Sequence, residues 1–158
     1  MDKSPATRSL VLVLPGEGQQ LDLRRAQPRI LLSGQESEGR LAVLKTTQAP
    51  GGGPPLHTHA HEDETFFVLD GSFTFVCGDT SADVPAGSLA HLPRGVPHRY
   101  QAGTEGGTVL MLFTPSGMEG YFREWAALVA AGQMTNAAMT ELAGHHGLQL
   151  HGSYLPDE

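Results

Sequence analysis

Histidine and glutamate side chains of the kind that hold metal ions cluster in the middle of the chain. His57 and His59 are one residue apart, so on a β-strand both imidazoles point to the same face. Glu64 has the wrong parity to share that face on one continuous strand, so a bend at residues 60–63 must return it. His98 comes from a distant segment. Three neutral imidazoles and one carboxylate favour a borderline divalent ion, with one or two positions open to water or substrate.

Short runs of β-branched and aromatic residues, separated by turn residues, surround this cluster. The runs predict strands at residues 10–14, 29–32, 41–47, 65–69, 72–77, 88–92, 98–101 and 108–113. Asp70-Gly71 predicts a hairpin, because both residues tolerate positive φ, and Gly78-Asp79 predicts the next turn. Residues 49–55 (APGGGPP) can form neither a helix nor a central strand. This rhythm predicts an all-β sandwich or barrel.

Beyond residue 115 the pattern becomes helical. Ser116 and Glu119 have the spacing of a capping box. Apolar side chains then recur at helical spacing, at Met118, Tyr121, Phe122, Trp125, Leu128 and Val129. We expect this face to cover the barrel or a dimer partner, with a substrate lid as the alternative. A second helix is predicted at about residues 135–145, and residues 148–151 could return as a strand.

Length and composition indicate one globular domain. The chain has 158 residues, of which 39% are hydrophobic and 17% charged. We divide it into a flexible N-terminus (1–9), a β-barrel (10–115) and a helical extension packed on the barrel (116–158). The net charge of −7 and the lack of a basic stripe exclude nucleic acid and anionic membranes as partners. Cys77 is the only cysteine, so no internal disulfide can form and a reducing compartment is expected. The run 10–14 is too short for a membrane span or signal segment. Together these features predict a cytoplasmic protein.

Two spaced motifs resemble those of the cupin superfamily. The first, G(X)5HXH(X)3–4E(X)6G, is matched by Gly51, His57, His59, Glu64 and Gly71. The second, G(X)5PXG(X)2H(X)3N, is matched by Gly87, Pro93, Gly95 and His98, with Ala102 in place of the final asparagine. The resemblance implies an all-β double-stranded β-helix (jelly-roll) barrel with one or two C-terminal α-helices. It also implies one divalent ion per chain (Fe, Ni, Mn, Co or Zn) held by His57, His59, Glu64 and His98.

The chain also looks like small bacterial single-domain cupins described as quercetin-dioxygenase-like. That resemblance implies a metal-dependent dioxygenase acting on a small organic substrate, with Glu64 as both ligand and general base, and a homodimer. Two alternatives use the same site. One is a non-redox isomerase, lyase or decarboxylase in which the ion acts as a Lewis acid, and the other is a small-molecule-binding protein without turnover.

Five side chains are predicted to shape the substrate pocket. Phe66 and Val68 share the face of Glu64 by strand alternation, and Tyr100 shares the face of His98. Met111 and Phe113 are added, although nothing in the sequence anchors their parity. The alternative role for all five is core packing.

The remaining histidines and acidic residues near the cluster are given simpler roles. His61 is expected to be turned outward by the bend, and Glu62 and Asp63 to be solvated turn residues. His91 is expected to be packed or hydrogen-bonded, with a proton carrier in the cavity as the alternative. The residues treated as lying at the surface are His145, His146 and His151, whereas Cys77 is expected to be buried.

Overall fold

The computed structural model describes residues 9–156, so the predicted flexibility of residues 1–8 falls outside the described part of the chain. Within that part, strands dominate and the all-β prediction is confirmed. The elements in chain order are β1 (Gln19–Gln20), β2 (Ala26–Leu32), α1 (Gly34–Ser37), β3 (Ala42–Gln48), β4 (His57–His59), β5 (Asp63–Cys77), β6 (Thr80–Pro85), β7 (Leu89–Leu92), β8 (His98–Thr114), α2 (Met118–Ala130), α3 (Asn136–His145) and β9 (Leu148–Leu150).

Two long antiparallel strands, β5 and β8, form the frame of the barrel and pair along almost their whole length. β3 lies on the other side of one end of β8 and carries β2 and then β1 outward. β6 and β7 pair with the two halves of β5. At the other end of β8, β4 joins through the pair His57 and His98, and β9 then pairs with β4. The two halves of each long strand therefore belong to different walls of the barrel.

The hairpin predicted at Asp70-Gly71 is wrong. The chain continues through these residues as one strand, and both halves pair with β8 instead of with each other. Gly71 has φ of 74°, and the register shifts on both sides of it, so its left-handed conformation makes a bulge within the strand. A Cβ on Gly71 would lie 2.4 Å from the carbonyl oxygen of Gly106, which is too close for any other residue. The turn at Gly78-Asp79 is confirmed.

The strand predicted at residues 10–14 is also wrong. The segment forms no strand, and Leu10, Leu12 and Leu14 are exposed. Residues of high β-propensity form a strand only when a neighbouring strand accepts their backbone hydrogen bonds, and the rest of the described chain supplies none here. The segment ends at a turn in which Glu17 N donates to the carbonyl oxygen of Leu14.

The helical prediction after residue 115 is confirmed, but its capping box is not. α2 buries Met118, Tyr121, Phe122 and Trp125 against the barrel. The Glu119 side chain does not cap the helix through Ser116. Its carboxylate is buried and accepts hydrogen bonds from the backbone N–H of Gly34 and of Gly117, at 2.6 and 2.8 Å. Glu119 therefore ties α2 to the start of α1.

The segment after α3 returns to the sheet as β9, so the helical extension also completes a wall of the barrel. Inside, the core is filled by fully buried side chains, among them Leu44, Phe66, Val68, Phe73 and Val109. Among residues 9–156, every helix is too short or too polar to cross a bilayer.

Candidate metal centre

The short strand β4 supplies two of the four predicted ligands. Because side chains alternate along a strand, His57 and His59 face inward and are 4% and 1% exposed, while Thr58 faces outward toward His151. The strand pairs with β9 over its whole length and with β8 only at His57. These pairings hold both imidazoles in the barrel interior.

The predicted bend between His59 and Glu64 is present and is fixed by an ion pair. Residues 60–62 lie between β4 and β5, and Glu64 then points back into the same interior. Asp63, which we predicted to be solvated, instead accepts hydrogen bonds from the Arg94 side chain at 3.0 and 3.2 Å and from its backbone N–H at 2.9 Å. These bonds lower the pKa of Asp63 to about 2. The bend is thereby joined to the loop that precedes His98.

The four predicted ligands come together. His98, at the start of β8, is opposite His57 in the sheet and is completely buried. One ligand atom from each of the four side chains lies within 4.8 Å of the others. The Oε2 atom of Glu64 is 3.1 Å from Nε2 of His98 and 3.4 Å from Nε2 of His59. The arrangement could therefore hold one metal ion.

The outer nitrogen of each imidazole faces an acceptor. Nδ1 of His57 is 2.9 Å from the carbonyl oxygen of Pro55, and Nδ1 of His98 is 2.9 Å from that of Val96. A carbonyl oxygen only accepts, so Nδ1 carries a proton in both rings, and Nε2 is the nitrogen that each ring could offer to a metal ion in the interior. Such outer partners orient metal-binding histidines in proteins generally.

Glu62 takes the same outer position behind His59, which corrects our prediction of a solvated residue. It is 6% exposed, and its Oε2 lies 3.5 Å from Nδ1 of His59. This is an electrostatic contact, because the geometry does not meet that of a hydrogen bond. No spacing rule could have separated Glu62 from Asp63, since both lie in the same short polar bend.

Burial and the neighbouring carboxylates move the pKa values of the ligands in different directions. Desolvation lowers the pKa of His57 to about 4, so this ring is neutral at pH 7. Burial opposes charge on His59 too, but the carboxylates of Glu62 and Glu64 prevail and raise its pKa to about 9. Burial of Glu64 is similarly outweighed by His59 and His98, which lower its pKa to about 2. Without a metal ion, the His59 ring is therefore protonated on both nitrogens and positively charged near neutral pH.

The donor set fits a divalent metal ion. Neither ring nitrogen of His59 makes a hydrogen bond, although both are buried. An unsatisfied buried polar atom is costly, and a metal ion at Nε2 would satisfy it. Imidazole nitrogens and one carboxylate suit iron, nickel, cobalt, manganese and zinc alike.

A cavity of about 320 Å³ lies beside the four side chains, and His57, His59 and Glu64 form part of its wall. Three of the five predicted pocket residues line it, namely Tyr100, Met111 and Phe113. The α2 residues Tyr121, Phe122 and Trp125 also line it, so this face of the helix covers both barrel and cavity.

The other two predicted pocket residues, Phe66 and Val68, are outside the lining. Both are fully buried, and the Phe66 ring packs against Phe75 and Tyr100 with centroids 5.1 and 4.8 Å apart. Strand alternation gave the correct face for both residues. It does not give depth, and both lie farther along β5 than Glu64, within the core.

The other histidines lie outside the centre, and the described residues contain no second cluster of this kind. His61 and His145 are exposed, and Nδ1 of His91 is 2.8 Å from the Thr65 hydroxyl on the outside of the sheet. His146 pairs with Glu124 at 3.1 Å. Cys77, expected to be buried, is half-buried and forms no disulfide.

Comparisons with known proteins match part of the chain to a described domain family. Residues 44–115 match the family model described as Cupin domain. An uncharacterized protein of Aquifex aeolicus is 32% identical over 76 residues, which are 48% of this chain and 58% of that protein. An uncharacterized protein of Streptomyces coelicolor is 33% identical over 54 residues, which are 34% of this chain and 51% of that protein. The chain thus spans little more than half the length of these curated relatives.

Solved structures share the fold. The structure of KdgF from Halomonas sp. has a TM-score of 0.62 at 18% identity, covering 69% of this chain and 98% of that one. A predicted oxalate decarboxylase from Thermotoga maritima has a TM-score of 0.59 at 19% identity, covering 66% of this chain and 98% of that one. At these identities the likeness shows the fold alone, which is the predicted all-β jelly roll with C-terminal helices.

Proposed function

We propose that the protein, whose residues 44–115 match a cupin domain, is a metal-dependent enzyme, and specifically a dioxygenase, that acts on a small organic molecule. The observation that carries the proposal is the position of the four buried side chains beside a cavity of ligand size. A purely structural metal site would have no need of a neighbouring space for a ligand. The dioxygenase chemistry is supported by the resemblance of the motifs to quercetin-dioxygenase-like cupins.

The three imidazoles would hold the ion through Nε2, and Glu64 would hold it through its carboxylate. When bound, a divalent ion supplies Lewis-acid polarisation of a substrate oxygen and, if it is redox-active, a place for dioxygen. Glu64 would also accept a proton from the substrate, and its position in the cavity wall supports this role.

Tyr100 would act as a hydrogen-bond donor in the same cavity. Burial and the charge of Glu64 raise the pKa of its phenol, so it keeps its proton at neutral pH. Its oxygen accepts a hydrogen bond from Nε2 of Gln48 at 2.8 Å. The phenol proton is thereby left for an oxygen atom of the substrate.

Apolar and aromatic side chains elsewhere in the cavity wall would exclude water. Met111 and Phe113 come from β8, and Phe122 and Trp125 come from α2. A water-poor cavity strengthens electrostatic interactions with the reacting group and suits a substrate with a largely apolar body.

The test begins with the metal content of untagged protein purified without oxygen, measured by elemental mass spectrometry. About one iron, nickel, manganese or cobalt ion per chain, with oxygen uptake on flavonols or other enolisable substrates, is the expected result. Turnover that is indifferent to oxygen would instead indicate an isomerase, lyase or decarboxylase. Tight ligand retention without turnover would indicate a binding protein, and protein that takes up no metal even after supplementation would overturn the proposal.

Substitution of Glu64 separates catalysis from metal binding. Glu64→Gln removes the base but keeps a ligand oxygen, so we expect turnover to fall by about 100-fold or more while most of the metal is retained. Glu105→Gln is the matched control, because Glu105 is exposed and lies outside the cavity. Unchanged turnover in Glu64→Gln would exclude Glu64 as the base.

We also propose a cytoplasmic homodimer. Phe67, Leu69 and Leu89 are exposed on the outside of the sheet, and Phe67 is paired with Leu89 across β5 and β7, so a second copy could bury them together. Light scattering of the purified protein gives its mass in solution. A monomeric mass at micromolar concentration would contradict the dimer.

A further inference from the structure

Two adjacent arginines line the cavity at the turn between β1 and β2. Arg24 and Arg25 are both exposed and both belong to its wall. The remaining ionised side chain of that wall, apart from its histidines, is Glu64. The chain as a whole carries a net charge of −7, so the sign of the charge is reversed locally where the cavity opens.

Hydrogen bonds fix the position of both arginines in this turn. The carbonyl oxygen of Arg25 accepts a hydrogen bond from Ala49 N at 2.9 Å, and its guanidinium donates to the carbonyl oxygen of Pro50 at 2.7 Å. Arg24 has φ of 70°, in the left-handed region where glycine is favoured, and its N–H donates to the Asp22 carboxylate at 2.8 Å. A residue with a long cationic side chain therefore occupies a turn position whose backbone favours glycine.

Neither guanidinium forms an ion pair within residues 9–156, whereas Arg94 is paired with Asp63 and Arg40 with Glu38. Arg25 uses one of its five N–H donors on Pro50, so most of its donors are available. Planar guanidinium groups match a carboxylate well, because two parallel N–H donors can meet its two oxygens.

The rest of the wall limits the substrate to a small molecule with an apolar body. The volume of about 320 Å³ is at the small end for ligand cavities. The side chains that line its interior are largely apolar or aromatic, among them Met111, Phe113, Phe122, Trp125 and Tyr154.

We propose that the substrate is a small organic carboxylate, with its carboxylate bound by Arg24 and Arg25 at the mouth and its apolar body directed toward Glu64. This inference rests on the proposed function and narrows its substrate class. The two ends of the cavity then have different roles: the arginines recognise the anion, and the chemistry takes place at the four buried ligands.

The test uses a matched pair of probes, 3-phenylpropanoate and 3-phenylpropanamide, which have nearly the same shape and differ in charge. Trp125 is the single tryptophan of the chain and lies in the cavity wall, so its fluorescence reports binding directly. We expect the metal-loaded protein to bind the carboxylate at least about tenfold more tightly than the amide. The double variant R24Q/R25Q should lose that preference, whereas R99Q, an exposed arginine of β8 outside the cavity, should keep it.

Several results would overturn the inference. These are equal binding of the two probes, no detectable binding of the carboxylate, or a preference that survives in R24Q/R25Q. A preference that is lost in His98→Ala but kept in R24Q/R25Q would show that the carboxylate binds the metal ion instead. The metal content of each sample is measured in parallel. Native protein that holds metal but lacks the preference refutes only the arginine site, and native protein that never holds metal refutes the proposed function.

Discussion

Glu62→Gln tests whether the buried carboxylate behind His59 supports the metal centre. The substitution keeps the size of the side chain and removes its charge. In the native protein, Oε2 of Glu62 faces Nδ1 of His59 at 3.5 Å, in the position that Pro55 and Val96 occupy behind the other two histidines. A glutamine would weaken the acceptor that orients His59 and makes Nε2 a stronger ligand.

The expected loss follows from the separation of the two atoms. A full charge pair at 3.5 Å would interact by about 5 kcal/mol at an effective dielectric constant of 20. A metal-bound imidazole carries only part of a unit charge, so the loss should be a fraction of this. Loss of an outer partner generally lowers metal affinity about 10- to 100-fold, or about 1.4–2.8 kcal/mol. We expect the same range here when protons do not compete.

Protons compete with the metal for His59, and this sets the pH dependence of the loss. Glu62 helps to raise the pKa of His59 to about 9, so below that pH the native metal-free site must release a proton before it binds metal. The substitution lowers that pKa and weakens the competition. The deficit in metal affinity should therefore be greatest above about pH 9 and should shrink as the pH falls.

A competition titration of Co²⁺ against a chromophoric chelator measures the metal affinity above about pH 9 and again at neutral pH. Glu105→Gln is the control for an exposed carboxylate, and thermal unfolding of the metal-free variant shows that it folds. An affinity equal to that of the native protein above pH 9 would refute the orienting role of Glu62. A deficit that grew as the pH fell would refute the assignment of the competing proton to His59.

His98→Ala should abolish stoichiometric metal binding, measured by elemental analysis. The control His91→Ala, on the outside of the sheet, should still bind about one ion per chain. Full metal retention in His98→Ala would contradict the site. Because His59 holds a proton below about pH 9, metal binding at neutral pH should release about one proton from it, measured by calorimetry in buffers of different ionisation enthalpy, and the affinity should rise with pH up to that value. Gly71→Ala should lower the free energy of unfolding by about 2–5 kcal/mol in urea titrations, because its left-handed backbone and close packing leave no room for a methyl group. Gly132→Ala, which is also left-handed but has open space, should cost less, and equal losses would show that packing at residue 71 is unimportant.

Three of the four ligand candidates could be predicted because their spacing reflects how strands present side chains. His57 and His59 share a face by period two, and the odd interval to Glu64 required the bend that the structure contains. His98 could be placed only by its resemblance to a known motif, because no local rule pairs it with a strand forty residues earlier. The pairing of His57 with His98 depends on the tertiary structure.

Residues that depend on depth or on a distant partner could not be predicted. Alternation gave the inward face of Phe66 and Val68 but not their distance from the cavity. Glu62 lies in a polar bend and is buried only because the bend folds over the centre. Asp70-Gly71 has the composition of a hairpin, but its two flanking segments each find a better partner in β8 than in each other. Local turn chemistry was outweighed by long-range pairing there.

The pairing of β4 with β9 determines when during synthesis the centre can close. β4 has one paired residue in β8 but three in β9, which follows both C-terminal helices. A nascent chain that ends before residue 150 lacks most of the backbone partners that hold the two histidines of β4. The long strands β5 and β8 can pair earlier, because both are already made. Metal capture should therefore be a late event, after the ribosome has delivered α3 and β9.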